Sequence, residues 1–273
     1  MNAPPTTTPG PETSGYAPVN GLNLYYERYG PRESAARPLV LLHGGVLTID
    51  LAFGTLIAPL ARRHPLIAVE LQGHGRTADP GRPMSVPALA DDVAGLLDHL
   101  GVEQADFFGV SLGAFVALDL AITRPERVGR AVLGSIPYRL DGYLPEVHPH
   151  TFRPDSDRMP TAADAEEWRA EYERIAPDPA AFGDMLSRTS AVVAALPGWS
   201  AEQLAAVRCP TLLLIGDHDF VAVAHAAEML DLIPGAQLAV LPGTTHVDVG
   251  RARRPAEMLA VILPFLAEQP AAA

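Results

Sequence analysis

The run Phe107-Phe108-Gly109-Val110-Ser111-Leu112-Gly113 restricts the folds open to this chain more than any other stretch. An apolar segment ends in a serine that has a glycine two positions to either side. Residues Gln104 to Gly109 read as a short buried strand, and Leu112 to Ala121 as an almost wholly apolar helix. A serine between the two sits on a sharp strand-to-helix turn, a nucleophile elbow. Its backbone is strained there, and glycine is needed on both sides so that strand and helix can pass closely. The pentapeptide alone is only moderately specific, and Ser111 read in isolation serves equally as an ordinary helix N-cap. The surrounding pattern decides.

That pattern is an alternation of strands and helices. Asn20-Gly21, between Tyr16–Val19 and Leu22–Tyr29, signals a hairpin. From Pro38 the expected order is strand Leu39–Leu42, a helix near Phe53–Ala61, strand Leu66–Leu71, a helix near Val86–Leu100, the elbow pair, and strand Val128–Ser135. A parallel, doubly wound sheet follows from it. The alternation stops between Pro137 and Val207, which is expected to form a helical cap over the carboxyl ends of the strands. Within it Thr161-x-x-Asp164 reads as a capping box, with Trp168, Tyr172 and Ile175 at helical spacing. Pro177-Asp178-Pro179 breaks that helix, and a second is expected from Ala180 to about Ala195. The organisation expected is a disordered tail at 1–15, a first core part at 16–136, the cap at 137–207, a second core part at 208–268 and a C-terminal tail at 269–273.

Three further turns carry polar groups that suit acyl chemistry. Leu39–Leu42 feeds His43-Gly44-Gly45, a turn able to aim a backbone N–H at a developing oxyanion. Strand Thr211–Ile215 ends in Gly216-Asp217-His218-Asp219, and strand Gln237–Leu241 leads to a loop containing His246. The order serine, acid, histidine differs from both protease orders. Ser111 is the candidate nucleophile and His246 the candidate base, although a loop histidine paired with Asp248 is the plainer reading of the latter. The acid is Asp219 or Asp217, with Asp141 as an outside candidate. Gly45 and Leu112 are the candidate oxyanion donors through their N–H groups, Leu112 helped by the helix N-terminus.

On these residues the chain resembles the α/β-hydrolase-fold serine hydrolases, in their esterase and lactonase branch, from about Leu22 to Leu266. The resemblance implies an α/β-hydrolase fold: a doubly wound, mostly parallel sheet with an N-terminal hairpin and an inserted cap. The family's Gly-x-x-Asp pattern maps onto Gly216 and Asp219, which favours Asp219 over Asp217, and it gives His43 a loop-orienting role. Glu70 stands where relatives usually carry Asp, in a structural turn. Serine at position 111 separates the chain from haloalkane dehalogenases and epoxide hydrolases, which need a carboxylate there. Val46, Ala114-Phe115 and Ile215 depart from the proline-iminopeptidase, haloperoxidase and carbon–carbon hydrolase patterns respectively. The implied activity is cleavage of a small or medium carboxylic ester through an acyl-enzyme, without metal or organic cofactor. A lactonase with the same triad and a non-enzymatic small-molecule receptor on this scaffold are the alternatives. Val46, Tyr138, Tyr143, Trp168 and Val247 are the expected pocket residues, with Phe152, Met159 and Met185 as further candidates.

Composition narrows the partners. A net charge of −12 over 273 residues opposes attraction to nucleic acid or anionic lipid, and no apolar run reaches the roughly 18 residues of a membrane helix. Cys209 is the only cysteine, so no intrachain disulfide framework exists. With no basic and apolar leader in the first 15 residues, a cytoplasmic location is expected. Gly73-His74-Gly75 lacks the third glycine of a dinucleotide fingerprint, and prolines interrupt Glu146, His148 and His150 as a metal cluster. The expected partner is a small-molecule ester or lactone; the oligomeric state stays open.

Overall fold

The computed structural model describes residues 10–30 and 36–268. The strands are β1 (Thr13–Val19), β2 (Leu22–Tyr29), β3 (Leu39–Leu42), β4 (Leu66–Val69), β5 (Ala105–Val110), β6 (Val128–Gly134), β7 (Thr211–His218) and β8 (Gln237–Thr245). They form one 8-stranded sheet in the order β1-β2-β4-β3-β5-β6-β7-β8. The β1–β2 and β2–β4 pairs are antiparallel, and every pair from β4 to β8 is parallel. This is the α/β-hydrolase fold, with its N-terminal hairpin at one edge.

The inner strands β3, β4, β5 and β6 are almost continuously buried because helices cover both faces of the sheet there. Along β3, Leu39 and Leu41 join one core cluster while Val40 and Leu42 join the other, since successive side chains of a strand point to opposite sides. One face packs against α1 (Ile49–Ala61) through Phe53 and Leu56. The opposite face packs against α2 (Val86–His99) and α3 (Leu112–Thr123), through Leu89 and Phe115. Between β6 and β7 lie α4 (Ala162–Ile175), α5 (Phe182–Ala194) and the short α6 (Ala201–Ala205). Helices α7 (Val223–Leu232), α8 (His246–Gly250) and α9 (Pro255–Ala267) complete the chain, and α9 seals the α1 face through Met258, Ile262 and Phe265. No helix of the described residues is long and apolar enough to cross a membrane.

Three local details differ from the sequence expectation. β1 begins at Thr13, so residues 13–15 of the expected tail pair with Tyr26, Glu27 and Arg28, because β2 is long enough to offer them ladder partners. Residues 1–9 of that tail, and the expected C-terminal tail at 269–273, lie outside the described residues. Helix α5 starts at Phe182 because Pro179–Ala181 forms a 3-10 turn first. His246 opens α8 instead of lying in a loop: Thr245 caps that helix, and Asp248 bonds back to the Thr245 N–H and hydroxyl, which completes a capping box.

Candidate active site

Ser111 sits at the junction of β5 and α3 with φ 49° and ψ −116°, a region that L residues avoid. The flanking glycines permit this. A Cβ on Gly113 would overlap the Leu42 carbonyl oxygen, and one on Gly109 would overlap the Gly113 carbonyl, so α3 could not cross β3 and β5 this closely. The Ser111 N–H donates to the Gly134 carbonyl at 2.8 Å, which ties the turn to β6. Its side chain makes no capping bond, in contrast to the N-cap reading. The hydroxyl instead lies 3.1 Å from His246 Nε2.

His246 Nδ1 lies 2.8 Å from Asp219 Oδ1. Asp219 follows β7 and is 1% exposed. It accepts from the Phe220 N–H at 2.7 Å, the Gly216 N–H at 3.3 Å and the Ser135 hydroxyl at 2.5 Å. Burial alone would push its carboxyl pKa up, but the facing His246, the Ser135 hydroxyl and the Gly216 N–H outweigh burial and hold it below the ordinary value. Asp217, the alternative acid, is turned away: it accepts from the Thr244 N–H at 3.1 Å and faces His218. Asp141 pairs with Arg139 at the surface. Asp248, occupied by Thr245, is not the partner of His246.

Two neighbours went unread in the sequence. The Phe220 ring stacks on the His246 imidazole at 4.1 Å with planes 1° apart. Ser135, at φ 57° beyond β6, points its hydroxyl at the acid. The Ser135 interaction joins residues 84 apart in sequence and leaves no local signal. For Phe220, adjacency to Asp219 was the only clue.

The loop after β3 brings Gly44, Gly45 and Val46 beside Ser111, with Val46 at φ 62°. The N–H groups of Gly45 and Leu112 have no acceptor among the described residues, and both residues line the cavity above Ser111. His43 is fully buried beneath this loop. Its Nδ1–H donates to the Gly44 carbonyl at 2.7 Å, and its Nε2 accepts from the Leu71 N–H at 3.0 Å. Burial, aided by the neighbouring His74, lowers its pKa to about 3 and keeps it neutral, so it orients the loop.

The cavity measures about 320 Å³, at the lower end of the roughly 300–1,000 Å³ common for ligand sites. Val46, Tyr143, Trp168 and Val247 line it, together with Phe152 and Met159. Tyr138 does not: it is 1% exposed, stacks on His225 at 4.6 Å and donates its hydroxyl to Glu228 at 2.6 Å. Its ring is held between the His225 imidazole and the Arg139 guanidinium, which lies 4.5 Å from the ring centre, and so packs away from the cavity. Met185 packs instead with Tyr172 and Phe182 in a separate cluster. The Cys209 thiol is buried and pushed up to about 11, far from a reactive thiolate. No group of three or more His, Cys, Asp or Glu residues able to hold a metal occurs among the described residues.

Comparison with known proteins places this geometry in context. Residues 39–261 match the model of the alpha/beta hydrolase family. The chain is similar to a protein of Azorhizobium caulinodans provisionally named carbamate hydrolase RutD, at 29% identity over 245 residues, 85% of this chain and 91% of that protein. It is also similar to 3-oxoadipate enol-lactonase 2 of Acinetobacter baylyi, at 31% identity over 112 residues, 41% of each chain. Among solved structures, the enol-lactonase of Burkholderia xenovorans superposes with a TM-score of 0.71 at 24% identity, over 93% of this chain and all of that one, a likeness of fold.

Proposed function

The chain belongs to the alpha/beta hydrolase family, and on that premise we propose that it is a serine hydrolase cleaving small or medium carboxylic esters through an acyl-enzyme. The observation that carries the reading is the unbroken relay from Ser111 Oγ to His246 Nε2 at 3.1 Å and from His246 Nδ1 to Asp219 at 2.8 Å. Ser111 Oγ attacks the ester carbonyl carbon as its proton passes to His246 Nε2. The carbonyl oxygen becomes an oxyanion and accepts from the Gly45 and Leu112 N–H groups. One such donor contributes about 3 to 4 kcal/mol to transition-state stabilisation. Collapse expels the alcohol, which takes the proton from His246. A water molecule, deprotonated by His246, then attacks the acyl-serine, releases the acid and restores Ser111. Asp219 accepts from Nδ1–H throughout, fixes the tautomer and stabilises the imidazolium. Every proton and electron pair is carried by these groups, so the proposed reaction uses no metal or organic cofactor.

In this proposal residues 137–207 act as the cap, and their side chains set which acyl group fits. Tyr143, Phe152, Met159 and Trp168 come from that segment and line the cavity. Lactone cleavage is the second reading, favoured by the similarity to the Acinetobacter baylyi lactonase, since ring and open esters use the same relay. The test is turnover of 4-nitrophenyl esters of graded acyl length, several lactones and aryl carbamates by the parent and Ser111→Ala. Parent turnover that the variant loses by about 10⁴-fold or more is expected. A variant as active as the parent would overturn the assignment.

A further inference from the structure

The cavity wall holds one permanently charged side chain among the described residues, and that charge is already matched. No Asp, Glu or Lys lines the cavity; Arg251, just after α8, does. Its Nη1 and Nη2 donate to the two carboxylate oxygens of Glu167 at 2.7 and 2.6 Å, and its Nε donates to the Leu51 carbonyl at 3.1 Å. A two-pronged guanidinium–carboxylate contact of this kind is among the strongest charge-assisted pairings. The Arg251 side chain is 11% exposed, whereas Glu167, on α4, is 50% exposed and does not itself line the cavity. The bonds from Arg251 hold the Glu167 carboxyl below its ordinary value, so it stays ionised at neutral pH. Arg253 brings a second cation to 4.0 Å from Glu167, but it also contacts Asp164 and lies 3.8 Å from Asp248, so the group as a whole carries no excess positive charge.

We propose that Glu167 sets the charge selectivity of the cavity: it holds Arg251 in a neutral pair, so that the site accepts esters or lactones whose cavity-filling group is uncharged and rejects those carrying a carboxylate there. An entering carboxylate meets apolar walls, an arginine whose fork is occupied, and the Glu167 charge directly behind it. The protein's net charge of −12 adds to the barrier. This selectivity rests on the reading of the cavity as the substrate site. It reaches past the ester-or-lactone question to the class of substituent: neutral and mainly apolar.

The test pairs 4-nitrophenyl hexanoate with mono-4-nitrophenyl adipate, and the octanoate with the suberate, on the full-length protein. The parent is expected to favour the neutral partner by about 30-fold or more in kcat/KM. Glu167→Gln keeps the shape but only one of the two bonds from Arg251, because its amide nitrogen cannot accept, and it leaves the Arg251 charge uncompensated. It should narrow that ratio about tenfold, through a lower KM for the anionic esters. Purely structural damage would lower both partners alike and leave the ratio intact. Parent ratios within about threefold of unity, or an unchanged ratio in Glu167→Gln, would overturn the inference. Should the parent hydrolyse none of the esters, the proposed function fails separately. Calorimetric binding of hexanamide against adipic acid monoamide then reads the selectivity without turnover, and hexanamide binding no better than the acid would overturn it.

Discussion

Asp219 has an unusual set of partners for a carboxylate that is 1% exposed: the backbone N–H groups of Gly216, Phe220 and Val221, a serine hydroxyl and an imidazole. Each stabilises the ionised form, and together they outweigh burial, so its pKa is lowered. For an acid with a depressed folded pKa, the stability contributed is present above the unfolded value and is lost as pH falls through the folded one. Asp219 therefore stays charged to lower pH than an ordinary aspartate does. Asp219→Asn should preserve the fold by circular dichroism while reducing kcat by about 10⁴-fold, because an amide facing Nδ1 favours the wrong tautomer. A loss under about tenfold would shift the orienting role elsewhere. Ser111 and His246 were legible from the sequence because each follows a strongly apolar strand. Asp219 was separable from Asp217 only by resemblance. What separates the two physically is that Asp217 lies within β7 and is tied to Thr244, while Asp219 turns back under the sheet ends.

At the scale of elements, the β5–α3 unit depends on close backbone approach. Gly113→Ala would drive a methyl into the Leu42 carbonyl, backbone that cannot yield as a side chain can. The expected cost is about 3 kcal/mol or more in urea unfolding, accompanied by loss of ester turnover as the elbow shifts. An unchanged denaturation midpoint would contradict this packing. The apolar strands and helices around the elbow were readable because burial on both faces leaves continuous hydrophobic runs. Tyr138 was not, since an aromatic residue in a connection packs inward or faces a cavity according to partners such as His225, far along the chain, which no local pattern encodes. The α8 start was encoded: Thr245-x-x-Asp248 carries the same box as Thr161-x-x-Asp164, on a helix too short to show periodicity.

For the whole molecule, acid sensitivity follows from buried titratable groups with opposing signs. His43 and His74 are lowered by burial to about 3 and about 4 respectively. The unfolded chain binds those protons first, so this contribution is full above about pH 6.5 and is lost as pH falls, by about 1.4 kcal/mol per pH unit for each histidine. Glu70, raised to about 7 by burial against the pull of Arg76, works the other way: its contribution is full below the unfolded value and fades as pH rises. The net slope is thereby blunted, and the histidine part is isolated by difference. The stability gap between parent and His74→Gln should shift by about 1.4 kcal/mol per pH unit between pH 6 and 5. A constant gap would show that His74 is not held neutral.

In the proposed function the strained elbow, the relay and the N–H groups of Gly45 and Leu112 make Ser111 the activated nucleophile among the described residues. Treatment with a fluorophosphonate, followed by intact mass and peptide mapping, tests it without knowledge of the natural substrate. A single adduct on Ser111, absent in Ser111→Ala and strongly slowed in Asp219→Asn, is the result expected. A folded parent that forms no adduct, or one modified at another residue, would contradict the account.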